Sequence, residues 1–226
     1  MNEKEEELIK KYKIDTEKLK REQIALSKSL KIKDSTDFSE INLIGGIDSG
    51  FQGNNIVSTI VVLNKEMEVV DQSYASGKMK FPYISGFRAY REMPTRLDAF
   101  SKLDEKPELI FIKGHGTSHP RLGIASHFSL SSDVPTIGVA ESLLEWTEVK
   151  GEDIVLNDKV VGKVFHSKKG SNPLYISPGN LISVDSALKI TKEFMKHPHK
   201  LPEPLHLAGK YGRKMEGEIF PKTRAQ

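Results

Sequence analysis

Three stretches of this sequence set polar side chains where buried segments give way to glycine. In Ile44-Gly45-Gly46-Ile47-Asp48-Ser49-Gly50-Phe51 an apolar run closes on a carboxylate ringed by glycines. Such a carboxylate suits a metal or catalytic position, since glycines admit a ligand or phosphate close to the backbone, but it also suits a plain turn. In Phe81-Pro82-Tyr83-Ile84-Ser85-Gly86-Phe87-Arg88-Ala89-Tyr90-Arg91-Glu92 an aromatic-apolar tip precedes a helical pattern. A tip of this kind can unstack bases as a wedge, and Glu92 falls within reach of whatever the helix start faces. The competing reading is core aromatics with a solvated glutamate.

The third stretch is Ile110-Phe111-Ile112-Lys113-Gly114-His115-Gly116-Thr117-Ser118-His119-Pro120-Arg121. A strand that runs into Gly-x-Gly, followed by histidines and an arginine before a helix, suits phosphate contact through backbone N–H groups and side chains. His115 and His119 are four apart, a zinc spacing on a helix, but Gly114, Gly116 and Pro120 argue against a helix there.

The elements that must position these residues follow from periodicity. Leu43–Ile47, Asn55–Leu63 and Met67–Ala75 read as three successive strands, with Asp48 at the end of the first. Gly86–Leu103 carries a helical pattern that stops at Lys106-Pro107, and Leu109–Ile112 is a short apolar strand. Leu122–Leu130 reads as a helix and Pro135–Ala140 as another buried strand. This alternation predicts parallel pairing covered by helices. Asp153–Leu156 and Val160–Phe165 flank the turn pair Asn157-Asp158. Leu174–Ser177 is a further strand, and Ser183–Met195 an amphipathic helix. Ahead of all this, residues 2–31 form one or two charged amphipathic helices broken near Ile14-Asp15-Thr16, with Asp15 as a cap. The expected organisation is one α/β domain over 41–208, an N-terminal helical segment over 1–40 packed on it, and a mobile, Gly-rich, basic tail over 209–226.

Composition narrows the function classes. The 226 residues are 37% hydrophobic and 29% charged, a balance for a globular rather than a disordered chain. Basic residues exceed acidic ones only by 34 to 31, which permits a nucleic-acid partner on one face without requiring it. The absence of cysteine excludes disulfides, thiolate nucleophiles and cysteine-bound zinc. No apolar run reaches the roughly 18 residues of a membrane span. With the acidic opening residues, this predicts a cytoplasmic protein, a monomer by default.

The ordered set of motifs resembles endonuclease V. It comprises the strand ending in Asp48, the Pro82-Tyr83-Ile84 tip with Arg91-Glu92, and Gly114-His115-Gly116 with His119-Pro120-Arg121. Gly123–His127, Pro135–Ala140, Tyr175-Ile176-Ser177-Pro178-Gly179 and Leu201-Pro202-Glu203-Pro204 continue it, over roughly residues 40–208. The resemblance implies an RNase H-like fold, a mixed sheet flanked by helices. It implies a Mg²⁺-dependent nuclease (Mn²⁺ as the alternative ion) in DNA repair. Its substrate would be DNA containing deoxyinosine, or RNA containing inosine, cut at the second phosphodiester 3′ to the lesion. Carried over by position, Asp48 and Glu92 match metal-binding carboxylates, Pro82, Tyr83 and Ile84 the wedge, and Gly114 and Gly116, around His115, the lesion-pocket turn. His119 matches a histidine near the scissile phosphate. Arg121 and Lys168, with Lys163 and Lys169, are candidates for phosphate contacts or solvated surface charges.

The chain departs from that family at three polar positions. Lys113 stands where an aspartate is usual, Glu141 where a lysine is usual, and Gly209 where an aspartate or histidine is usual. An ammonium in place of a carboxylate repels a divalent ion. Lys113 and Glu141 lie at the ends of strands expected to be neighbours, so a reversed ion pair between them is expected. In one version Glu141 replaces the missing carboxylate; in the other the pair neutralises itself. The alternative function is a homologue, inactive or impaired, that grips lesion-containing or unpaired nucleic acid without cutting.

Overall fold

The computed structural model describes residues 3–221. Nine strands form one mixed sheet in the order β3-β2-β1-β4-β5-β9-β8-β7-β6. β1 (Ile44–Gln52), β2 (Asn55–Leu63) and β3 (Val69–Lys78) make an antiparallel meander. β4 (Leu109–Lys113) lies parallel to β1, and β5 (Thr136–Ala140) parallel to β4. The far half is antiparallel and is built from β6 (Glu148–Lys150), β7 (Asp153–Leu156), β8 (Lys159–Phe165) and β9 (Leu174–Asn180).

β4 and β5 are short and almost wholly apolar because helices cover both faces. On one face Ile47, Ile60, Ile110 and Ile112 pack with Met93 of α3 (Arg88–Ser101) and Phe128 of α4 (Ile124–Ser132). On the other, Ile44, Phe111 and Val139 pack with Ile190 of α5 (Val184–Glu193) and Leu205 of α6 (Glu203–Ile219). The expected α/β sheet with flanking helices is therefore observed. So are the two N-terminal helices, α1 (Glu3–Tyr12) and α2 (Thr16–Ser27). The Asp15 carboxylate accepts the Lys18 N–H at 2.8 Å and caps α2.

Two expectations are corrected. Asp48 does not end its strand: β1 runs on to Gln52, paired with β2, and only its parallel pairing with β4 stops at Ile47. Nor is 209 the start of a mobile tail, because residues through Ile219 complete α6; those from 222 lie outside the described residues. Gly209, Gly212 and Gly217 suggest flexibility by composition, yet they lie within a helix, and Gly212 lets α6 sit close to the sheet. Thr59 Oγ1 donates to the Ala208 carbonyl at 2.8 Å, and a Cβ on Gly212 would come within 3.1 Å of the same hydroxyl. Among the described residues, no helix is long and apolar enough to cross a membrane.

Candidate functional site

The parallel strands deliver their polar residues to one edge of the helical layers. Lys113 pairs with Val139 across β4 and β5, and Glu141 follows the end of β5. Lys113 Nζ lies 3.5 Å from Asp48 Oδ2 and 3.6 Å from Glu141 Oε2, so the expected contact between Lys113 and Glu141 is observed. Glu141 has a second partner that sequence reasoning missed, Lys200 Nζ at 2.9 Å. Burial alone would raise the pKa of Glu141, but the two lysines hold it below the usual carboxylate value.

Glu92 is fixed differently. Arg88, Glu92 and Arg96 stand four residues apart on α3 and so share one face. Arg88 Nε donates to Glu92 Oε1 at 2.6 Å, and Arg96 Nη2 to Oε2 at 2.8 Å. Arg96 also donates through Nε to Ser49 Oγ at 3.0 Å, in a partly buried hydroxyl chain that runs from Ser49 through Ser58 to Thr95. Arg96 and Glu92 are 0% and 2% exposed, which makes this an interior ion pair. Burial would raise the pKa of Glu92, but Arg96 and Arg88 together hold it low.

A divalent ion needs carboxylate oxygens that face a common point, free of competing cations. Here Lys113 flanks the Asp48 oxygen, and two guanidiniums bind both oxygens of Glu92. Among the described residues no three acidic or histidine side chains converge as a metal site. At position 209, a Cβ would sit 3.5 Å from Asp48 Oδ2, so a longer side chain there would face Asp48, but glycine offers none. Four cations (Arg88, Arg96, Lys113, Lys200) surround three carboxylates, and this arrangement does not fit the divalent ion expected at Asp48 and Glu92.

The glycine turn is built for close approach. Gly114 has φ of +144°, which a side chain rarely adopts, and a Cβ on Gly116 would come within 2.1 Å of the Pro178 carbonyl. His115 Nε2 meets the Ser142 carbonyl at 2.9 Å. His119 Nδ1 accepts the N–H groups of Arg121 and Leu122 at 3.2 and 3.1 Å, so the neutral ring carries its proton on Nε2. Burial, then the charges of Arg121 and His115, pushes the His119 pKa down to about 3; burial also lowers that of His115.

This sets a pH dependence. The unfolded chain protonates these rings near pH 6.5, whereas folded His119 stays neutral to about 3. Between those values the unfolded state binds more protons, so stability falls as the pH drops through that window. Each ring contributes at most about 1.4 kcal/mol per pH unit. Denaturant unfolding at pH 7.5 and 5 is expected to show the loss, and His119→Gln to flatten it.

The tip is less apolar than expected. Tyr83 is 56% exposed, but Ile84 is 1% exposed and anchors the segment in the interior. Pro82 is half-buried, so of the three residues expected as a wedge only Tyr83 is exposed. Arg91 lies over the Tyr83 ring at 5.7 Å and over exposed Phe51 at 4.6 Å, so Phe51 extends this aromatic edge. Arg121 is engaged internally: Nε donates to Gln23 Oε1 at 2.7 Å, Nη2 to the Gly86 carbonyl at 3.3 Å, and the guanidinium lies over Phe87. Lys163 pairs with Asp153 at 2.6 Å. Exposed Lys168 and Lys169 line a cavity of about 410 Å³ with His197 and His199. The adjacent Ser167 donates to the carbonyl of Lys200 at 2.7 Å, which ties this cavity to the Glu141 side of the site.

Comparison with known proteins places this geometry. The family model described as Endonuclease V matches residues 24–210. An endonuclease V of Thermosipho melanesiensis is 38% identical over 216 residues, covering 92% of this chain and 94% of its own. The crystal structure of the Streptomyces avermitilis endonuclease V aligns with a TM-score of 0.82 at 28% identity, over 90% of this chain and 93% of that one. That of Ciona intestinalis endonuclease V, in complex with a 24mer DNA containing an inosine followed by a ribo-adenosine, aligns with a TM-score of 0.81 at 28% identity, over 90% and 98%.

Proposed function

Because the chain belongs to the endonuclease V family, a family of nucleases, we propose that it acts on inosine in DNA or RNA and that recognition is its better-preserved half. The observation that carries this is exposed Tyr83 on a tip tied to the glycine turn through Arg121 and His119: the Arg121 guanidinium holds the Gly86 carbonyl, its N–H holds the His119 ring, and the His119 N–H donates to the Gly116 carbonyl. Tyr83 enters the stack, and the turn at Gly114-His115-Gly116 offers a backbone-lined pocket to the extruded base. The cost of unstacking is small where pairing is already weak. Neutral His119 stands next to the turn with its Nε2–H toward the Gly86 carbonyl of the tip, and adds no charge there. Lys168 and Lys169 add salt-sensitive attraction for the strand. The reaction that accompanies this role in the family is hydrolysis of the second phosphodiester 3′ to deoxyinosine, with Mg²⁺ or Mn²⁺. Such an ion would polarise the phosphate and activate water. DNA repair in the cytoplasm is the setting this reading gives, in keeping with a chain that has no cysteine.

A second reading, grip without cutting, is favoured by one observation: Lys113 within 3.5 Å of the Asp48 carboxylate. No hydrolytic step is derived through Asp48 and Glu92 in this arrangement.

Fluorescence anisotropy with matched oligonucleotides bearing inosine or adenine, in EDTA, tests recognition. Wild type is expected to prefer inosine without a divalent ion, and Tyr83→Ala to reduce that preference about tenfold, since base–aromatic stacking is worth roughly 1–3 kcal/mol. Equal affinity for the two oligonucleotides would defeat the proposal. Cleavage of the same inosine strand in Mg²⁺ or Mn²⁺ separates the two readings.

A further inference from the structure

We propose that α1 and α2 form a brace that fixes the recognition tip against the histidine turn, with Glu5 and Gln23 as positioning residues for inosine selectivity. This inference rests on the function proposed above. The tip, between β3 and α3, has no strand partner for the backbone around Tyr83. Its side-chain ties lie just beyond Tyr83. The Ser85 N–H donates to Glu5 Oε1 at 2.9 Å across 80 residues of sequence. The Gly86 carbonyl accepts from Gln23 Nε2 at 3.0 Å and from Arg121 Nη2 at 3.3 Å.

Gln23 also reaches the other side of the site. Its Oε1 accepts from Arg121 Nε at 2.7 Å, and its Nε2 approaches the Leu122 carbonyl at 3.5 Å. Arg121 and Leu122 are the two residues whose N–H groups hold the His119 ring. One buried amide, 1% exposed, therefore bridges the backbone beside Tyr83 and the backbone that orients His119. Glu5, 8% exposed, is likewise withdrawn from solvent on a helix that is otherwise mostly solvated. Tyr90 of α3 adds a contact to α2 through the Leu19 carbonyl at 3.4 Å.

These contacts aim at backbone groups of two functional loops. Holding both loops before nucleic acid arrives removes part of the ordering cost of binding. That gain falls on the lesion complex, which needs Tyr83 and the turn in register, and not on phosphate attraction, which needs neither. The brace should therefore set selectivity and leave non-specific affinity alone. Both residues precede residue 24, where the match to the family model begins.

Glu5→Ala and Glu5→Gln, in the full chain, test the idea in two arms. In the ligand-free protein, amide exchange at Ser85 and Gly86 is expected to rise at least tenfold in Glu5→Ala, with β1 and β4 unchanged. Glu5→Gln, which keeps an acceptor oxygen, is expected to stay within about threefold of wild type. The affinity ratio for inosine over adenine oligonucleotides should fall about fivefold in Glu5→Ala, at unchanged affinity for the adenine strand, and recover in Glu5→Gln. Unaltered exchange at the tip, a uniform rise that includes β1 and β4, or faster tip exchange with selectivity intact would each overturn the brace. A wild type with no preference for inosine would overturn the function reading instead, and the exchange arm would decide the brace alone.

Discussion

Lys113→Asp is expected to open the Asp48 carboxylate to a divalent ion. The ammonium sits 3.5 Å from the Asp48 carboxylate and 3.6 Å from that of Glu141. Unit charges about 4 Å apart interact by on the order of 4 kcal/mol at an effective dielectric near 20. The lysine is a third exposed, so solvent screening takes a large share of this. Removing the repulsion and adding a carboxylate is then expected to tighten Mn²⁺ binding at least a hundredfold. Calorimetric titration with Mn²⁺ alone reads this without reference to activity. Cutting of an inosine strand should rise in parallel. The reciprocal change at 141 is unnecessary, and it would set a new lysine against Lys200, which now holds Glu141 at 2.9 Å. If Mn²⁺ binds the wild type and Lys113→Asp equally, the ammonium is not what bars the ion.

The second large effect concerns Glu92, and its sign of interest is stability. A solvent-facing metal ligand can usually be neutralised without loss of folding. Glu92→Gln would instead leave Arg96, 0% exposed, without its counter-charge in the interior. Breaking a buried pair on one side costs roughly 3–5 kcal/mol. That loss is the expectation for urea unfolding of the variant at neutral pH. Glu92→Gln with Arg96→Met removes both charges and should recover much of the loss, since an apolar replacement of a buried pair is often neutral. A change below about 1 kcal/mol in the single variant would mean that Arg96 is solvated or otherwise paired.

The sequence revealed the sheet because its signals are local. Alternating apolar runs with short turns marked β1 to β3, and Asp15 marked the start of α2. The neighbourhood of Lys113 and Glu141 was also legible, since the ends of adjacent parallel strands must meet. Lys200 was not, because 59 residues separate it from Glu141 and no spacing rule connects them. The clamp on Glu92 is written in the four-residue spacing of Arg88, Glu92 and Arg96, a helical ladder that fits neither a metal ligand nor a solvated glutamate. In α6 the glycines imitate a flexible segment, whereas the small size of Gly212 serves close packing on β2. Ile84 and Tyr83 are adjacent but not alike: on an irregular segment neighbouring side chains share no fixed face, and Ile84 is buried while Tyr83 is exposed.

The reach of α2 and α6 bears on where this molecule can be trimmed. A fragment cut to residues 24–210 would keep every residue of the family match and discard Gln23, most of α2 and half of α6. Arg121 would lose its amide acceptor, and the contact face of Met215 would vanish from the outer layer. The residues that the family model matches are thus fewer than those that hold the tip and the turn in place. Borders for excision, fusion or grafting belong ahead of α1 and beyond Ile219.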